Sequence, residues 1–91
     1  MAAKFELGRL LATPGGLAAF ERAGALPLEY LQRHGRGDWG DLSEPDRREN
    51  EFSVDNALRL LSAYRLPDGT KIWIITEADR SSTTILLPEE Y

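Results

Sequence analysis

Apolar positions along this chain change their period twice. Phe5, Leu7, Leu10 and Leu11 recur at helical spacing and predict a first helix of about two turns. Thr13-Pro14 then reads as a fresh start, because threonine is a favoured N-cap and proline is pre-set for the first helical position. A second helix is predicted over Pro14–Ala23, closed by Gly24. Leu26-Pro27 repeats the signal. A third helix opens at Pro27, carries Leu28, Tyr30 and Leu31, and ends at Gly35. The glycine-rich stretch 35–42 predicts a loop. Ser43 followed by Asp46 resembles a capping box and predicts a fourth, mostly charged helix from Glu44 to about Asn56, with Phe52 and Val54 as its few anchors.

From Leu58 onward the period falls to two. Strands are predicted over Leu58–Leu66, Lys71–Glu77 and Thr83–Leu87, with Pro67-Asp68-Gly69 as a hairpin turn and Pro88 as a stop. The middle strand is apolar on both sides, which suits a central position. The expected fold is therefore α+β: three to four short helices, then a three-stranded antiparallel meander with the helices packed on one sheet face. Residues 1–57 would be mainly helical and 58–91 would form the meander, all within a single domain. The expected core is Leu10, Leu17, Phe20, Leu31, Leu60, Ile72, Ile74, Ile85 and Leu87. The first and third strands would be edges, and an uncovered edge can recruit a second copy into a homodimer.

Charge narrows the range of partners. The net charge is −4, and the segment from Asp38 to Asp55 holds seven acids against two bases. All of the surplus acidity lies there. Such a balance argues against a broad nucleic-acid face, which needs cations to neutralise phosphates. No apolar run reaches the length of a membrane span, and the first residues lack the apolar stretch of a signal peptide. The chain has no cysteine, which fits a cytoplasmic setting. No cofactor is expected, nor a metal, since no known ligand spacing occurs.

Three groups of residues carry candidate chemistry. The polar turn Thr76–Thr84 lies between two apolar strands, and Glu77, Asp79, Arg80, Ser81 and Thr83 could line a binding rim. The plainer account is a rigid turn in which acids meet Arg80 and serine and threonine start a strand. His34 precedes the glycine loop that carries Asp38 and Trp39. His34 could act as a base and Trp39 as a stacking platform. Alternatively, His34 is a cation at a helix C-terminus and Trp39 plugs the core. The Gly-x-Gly of this loop lacks the preceding strand and the Lys-Ser/Thr of a phosphate loop. Arg59, Arg65 and Arg80 could gather as an anion site, or could pair with the surplus acids.

The stretches Gly37-Asp38-Trp39-Gly40-Asp41-Leu42, Leu61-Ser62-Ala63-Tyr64 and Ile72–Tyr91 resemble a family of short bacterial proteins often encoded on plasmids and other mobile elements. That resemblance spans nearly the whole chain and implies no activity. A remoter likeness is to small toxin-type ribonuclease folds, in which His34, Tyr64, Thr76 and Arg80 would take catalytic parts. Three functions follow as expectations. The first is a non-enzymatic accessory or regulatory module that binds an unknown protein through the acidic helix and the polar turn. The second is a small nuclease using His34 and Arg80. The third is a small-ligand module using Trp39 and Trp73.

Overall fold

The computed structural model describes residues 3–91. It is an α+β fold with three α-helices and one mixed four-stranded sheet. The elements are β1 (Arg9–Ala12), α1 (Pro14–Ala23), α2 (Pro27–Gly35), α3 (Glu44–Asn56), β2 (Leu60–Arg65), β3 (Lys71–Thr76) and β4 (Ser82–Leu86), followed by a 3-10 turn at Pro88–Glu90. Among the described residues no helix is long and apolar enough to cross a membrane.

The helices start where local chemistry sets them. Thr13 Oγ1 accepts from the Gly16 amide at 3.0 Å, and Pro14 opens α1. Gly24 ends it in the left-handed conformation at φ +67°. Ser43 Oγ accepts from the Asp46 amide at 3.4 Å at the start of α3. The Pro67–Gly69 hairpin joins β2 to β3 in antiparallel register, with Tyr64 opposite Ile72 and Leu60 opposite Thr76. β3 then pairs antiparallel with β4.

The N-terminal segment departs from expectation. Where the apolar spacing predicts a helix over Phe5–Leu11, the chain instead makes a bend at Phe5 and an irregular segment through Gly8, and Arg9–Ala12 forms β1 parallel to β4. The sheet order is β1-β4-β3-β2. The sheet therefore has four strands rather than three, and β4 is an interior strand rather than an edge. Gly8 marks the physical reason. It sits at φ +67°, and a Cβ there would collide with the backbone of Arg80 and Ser81. The Arg9 amide donates to Ser81 at 3.0 Å. Pairing with a strand seventy residues away outweighs the weak helical preference of one short apolar run.

One face of the sheet carries Leu60, Ser62, Tyr64, Ile72, Ile74, Thr76, Thr83 and Ile85, and it is buried beneath α1 and α2 through Ala19, Phe20 and Leu31. Leu10 and Leu17 were expected in this core but lie 52% and 49% exposed. Leu10 is on the outermost strand, with no further strand to cover it. Leu17 points off α1 away from Gly16, Ala19 and Phe20. Leu87 is partly buried against the core. The opposite sheet face carries Leu11, Leu61, Trp73, Ile75 and Leu86, with the ring of Tyr91 edge-on to Trp73.

The two sheet edges differ. Along β2, the Asn50 side chain takes the place of a fifth strand. Its Nδ2 donates to the Leu61 carbonyl at 2.6 Å, and its Oδ1 accepts from the Leu61 amide at 3.3 Å. The adjoining Ala63 bonds to the glycine loop, accepting from the Asp41 amide and donating to the Trp39 carbonyl. Gly40 permits this approach, since it has φ +75° and a Cβ would overlap the Ala63 carbonyl. Among the described residues no such cover lies along β1.

Candidate functional site

Beneath the helices runs a buried chain of polar side chains. Thr83 Oγ1 donates to the Leu7 carbonyl at 2.6 Å. A carbonyl only accepts, so the Thr83 proton is committed there. Thr83 Oγ1 must then accept from Thr76 Oγ1, 2.7 Å away. Thr76 has now used its own proton and accepts from His34 Nε2 at 2.9 Å. That assigns the His34 proton to Nε2. Nδ1 is left as an acceptor for the Ser62 hydroxyl at 2.5 Å. All four side chains are fully buried, and every one is satisfied.

Burial pushes the His34 pKa down to about 3, so the ring is neutral. It is not the cation at a helix C-terminus that its position at the end of α2 suggests. Phe5 and Trp39 close around it edge-on, with ring centres 5.2 and 5.8 Å away. A serine beside a histidine is the beginning of a nucleophilic pair. Here neither residue meets solvent, and the third partner is a hydroxyl rather than a carboxylate.

The polar turn is also engaged within the fold. Arg80 stands at φ +61°, and its guanidinium donates to four carbonyls: Leu58 at 2.7 Å, Ser53 at 2.9 Å, Ala78 at 3.1 Å and Glu77 at 3.2 Å. Ser53 lies in the last turn of α3, a turn with no basic residue of its own. Arg80 thus supplies from across the chain the positive charge that a helix C-terminus favours. Asp79 accepts from the Ser81 amide at 3.0 Å, and the Ser81 hydroxyl together with that amide holds its carboxyl below the usual range. Glu77 pairs with Arg59 at 3.4 Å.

Of the four residues assigned to a nuclease, His34 and Thr76 meet in the buried chain. Arg80 lies beyond the Phe5 ring, which its guanidinium overlies at 5.7 Å. Tyr64 is 2% exposed and donates to the Asp38 carbonyl, and burial pushes its phenol up to about 12. These groups do not converge on a cleft. The two indoles do not share a pocket either. Trp39 is buried on the helical side, donating to Glu51 at 2.8 Å, while Trp73 lies on the opposite sheet face.

Sequence reasoning missed one concave site. Arg33, Asp38, Gly40, Asp41, Arg47, Tyr64 and Arg65 line a polar cleft of about 390 Å³. Arg33 binds Asp38 at 2.8 Å, which holds the Asp38 carboxyl low, and its guanidinium overlies the Tyr64 ring at 4.6 Å. Arg65 pairs with Asp41 at 3.4 Å. Arg47 donates to the Gly40 and Leu42 carbonyls at 2.5 and 3.3 Å. These contacts hold the glycine loop against β2. Arg59, Arg65 and Arg80 do not form one anion site: Arg65 pairs with Asp41, while Arg59 and Arg80 both reach Glu77, at its carboxylate and its carbonyl.

α3 and the turn that Arg80 fastens to it present an exposed acidic surface. Glu44, Asp46, Glu49, Asp55 and Asp79 are exposed there. Phe52 and Leu58 are 56% and 46% exposed. Phe52 has Glu49 and Asp55 three residues to either side, on the same helix face. Among the described residues no group of three or more His, Asp or Glu side chains is arranged to hold a metal. Comparison with protein-family models, curated proteins and solved structures gives no match.

Proposed function

We propose that this chain is a non-enzymatic protein-binding module, an accessory or regulatory protein of a mobile element, that engages its partner through α3 and the polar turn. The observation that carries this reading is Phe52, a large apolar ring presented to solvent between two acids. Aromatic anchors ringed by charge are typical of residues that dominate a protein interface. Leu58, just beyond the end of α3, is a second exposed apolar side chain. Arg80 makes the helix end and the turn one rigid surface, so little ordering is needed on binding. The partner chemistry this surface suits is a basic face with an apolar socket. Further support comes from the chemically capable groups, His34, Tyr64 and Arg80, which are all engaged inside the fold. The mobile-element setting rests on the sequence resemblance alone.

The test is affinity capture from the native host with wild type, Phe52→Ala and the pair Glu49→Lys with Asp55→Lys side by side. Wild type is expected to retain a partner that both variants release. Losing a buried phenylalanine contact of ~1.5–3 kcal/mol weakens binding by roughly ten- to a hundredfold. Glu51 is left unchanged, since it bonds Trp39 and its loss would disturb the fold. Retention of every captured protein by both variants would reject the reading.

A further inference from the structure

The open edge of β1 has the features of a self-complementary interface. In the parallel pairing with β4, Arg9 and Thr13 donate their amides toward β4, to Ser81 and Ile85 at 3.0 Å each. By alternation Leu11 also faces β4, and the amide and carbonyl groups of Leu10 and Ala12 face outward. Among the described residues these outward groups have no hydrogen-bond partner. The strand is short and carries one charge, Arg9, at its start. It has no lysine, no proline and no bulge, and Leu10 and Leu11 are 52% and 42% exposed on its two sides. The other edge, β2, is sealed by Asn50 and the glycine loop.

We infer that the occupant of this edge is a second copy of the chain, with β1 pairing antiparallel to its counterpart about a two-fold axis at Leu11. Two identical edges can close only in that sense. The register follows from the outward groups. Leu10 faces Ala12 of the other copy, and Ala12 faces Leu10, giving four backbone hydrogen bonds. Leu11 meets its own counterpart on the opposite sheet face, where a non-hydrogen-bonded pair brings side chains closest. Each large side chain in the hydrogen-bonded pairs sits against a small one. Arg9 is opposite Thr13 rather than another arginine, so no like charges oppose each other.

Charge distribution supports the same occupant. α3, which holds Glu44, Asp46, Glu49, Glu51 and Asp55 of the acidic segment, packs on β2, and β2 is three strand spacings from β1. That is roughly 14 Å, which exceeds the screening length of ~8 Å at physiological salt. Two copies can therefore meet along β1 without their acidic faces approaching. The joined sheet would have eight strands, twice the four of one copy, with both outer edges sealed by Asn50.

Sedimentation or light scattering over a concentration series, combined with amide exchange of the intact chain, tests this. The expected result is a rise from 10.2 kDa to twice that mass, with the Leu10 and Ala12 amides becoming protected as the dimer forms. Leu11→Lys sets like charges opposite each other at the two-fold axis and should raise the dissociation constant by at least about tenfold. Phe52→Ala should leave it unchanged, which separates this interface from the α3 surface. Three results would overturn the inference: a monomer at millimolar concentration with both amides in fast exchange, a dimer in which those amides stay unprotected, or a dimer indifferent to Leu11→Lys. Should Leu11→Lys fail to fold, the wild-type exchange pattern decides alone.

Discussion

His34 Nδ1 accepts a hydrogen bond from Ser62 Oγ at 2.5 Å, and the direction of that bond is dictated by the carbonyl of Leu7 three links away. The pair is a structural joint between α2 and the sheet. Burial keeps its imidazole neutral, and the hydroxyl chain sets its proton on Nε2. Protonation would put a charge in a site closed to solvent and would require the Ser62 hydroxyl to turn from donor to acceptor.

Stability should therefore depend on pH well above the carboxylate range. His34 has a folded pKa of about 3, against an ordinary value of 6.5. Between those values the unfolded chain binds a proton that the folded chain does not. Folding free energy then falls as pH drops from 6.5, approaching ~1.4 kcal/mol per pH unit once the unfolded imidazole is charged. Urea midpoints at pH 7, 6 and 5 should decline in that order. A flat profile down to pH 5 would mean that His34 is not held neutral. The depressed carboxyls of Asp38, Asp79 and Glu90 add their own loss only below about pH 4.5.

Thr83→Val keeps the shape of the side chain and removes the link between Thr76 and the Leu7 carbonyl. It leaves a buried hydroxyl proton and a carbonyl without partners, so a loss of ~1–3 kcal/mol is expected by chemical denaturation. Measured together with Thr76→Val, the two changes should be strongly non-additive, because both interrupt the same chain.

Arg80→Lys tests the clasp on the polar turn. Lysine keeps the charge but cannot span four carbonyls with a planar fork. Stability should fall by about 1.5–3 kcal/mol, the range for hydrogen bonds to a charged group. Amide exchange in the last turn of α3 and around Leu58 should accelerate. If the variant melts like wild type, the four contacts contribute little.

Asn50→Leu should uncover β2. Asn50 is 5% exposed, so the leucine is accommodated with little new exposure, but the Leu61 amide and carbonyl lose the Asn50 side chain as partner. A destabilisation of roughly 2–3 kcal/mol is expected from those two groups, together with concentration-dependent aggregation through the freed edge. Light scattering that stays at the wild-type level would show that the glycine loop alone seals this edge.

The C-terminal turn should act on the first helix. Thr13 Oγ1 donates to Glu90 Oε1 at 2.6 Å while capping α1, and a Cβ at Gly15 would strike the Glu90 carboxylate. The Thr13 hydroxyl and the Leu87 amide lower the Glu90 pKa. Thr13→Ala is expected to cost about 1 kcal/mol. Glu90→Ala should destabilise less in the Thr13→Ala background than alone, as a thermal-melt double-mutant cycle would reveal.

Much of this architecture is written in short-range chemistry. Thr13-Pro14, Gly24, Ser43 with Asp46, and Pro67-Asp68-Gly69 set helix and turn boundaries because each satisfies or breaks hydrogen bonds within a few residues. The two-sided apolar pattern of Lys71–Thr76 placed that strand in the sheet interior for the same reason. Distant pairings had no such signature. Phe5, Leu7, Leu10 and Leu11 fit a helix as well as a strand, and only the approach of Gly8 to Ser81 decides between them. A glycine inside an apolar helical pattern was the available clue.

The sequence by itself determined the fold class, α1 to α3, the hairpins and the confinement of acidity, all properties of neighbouring residues or of sums. Tertiary structure decided the rest: the fourth strand, the neutrality of His34, the engagement of Arg80 and the difference between the two sheet edges. Each of those depends on which groups lose their water and which distant carbonyl or amide replaces it. Burial and partnership are relations between residues far apart in the chain, and side-chain chemistry follows them.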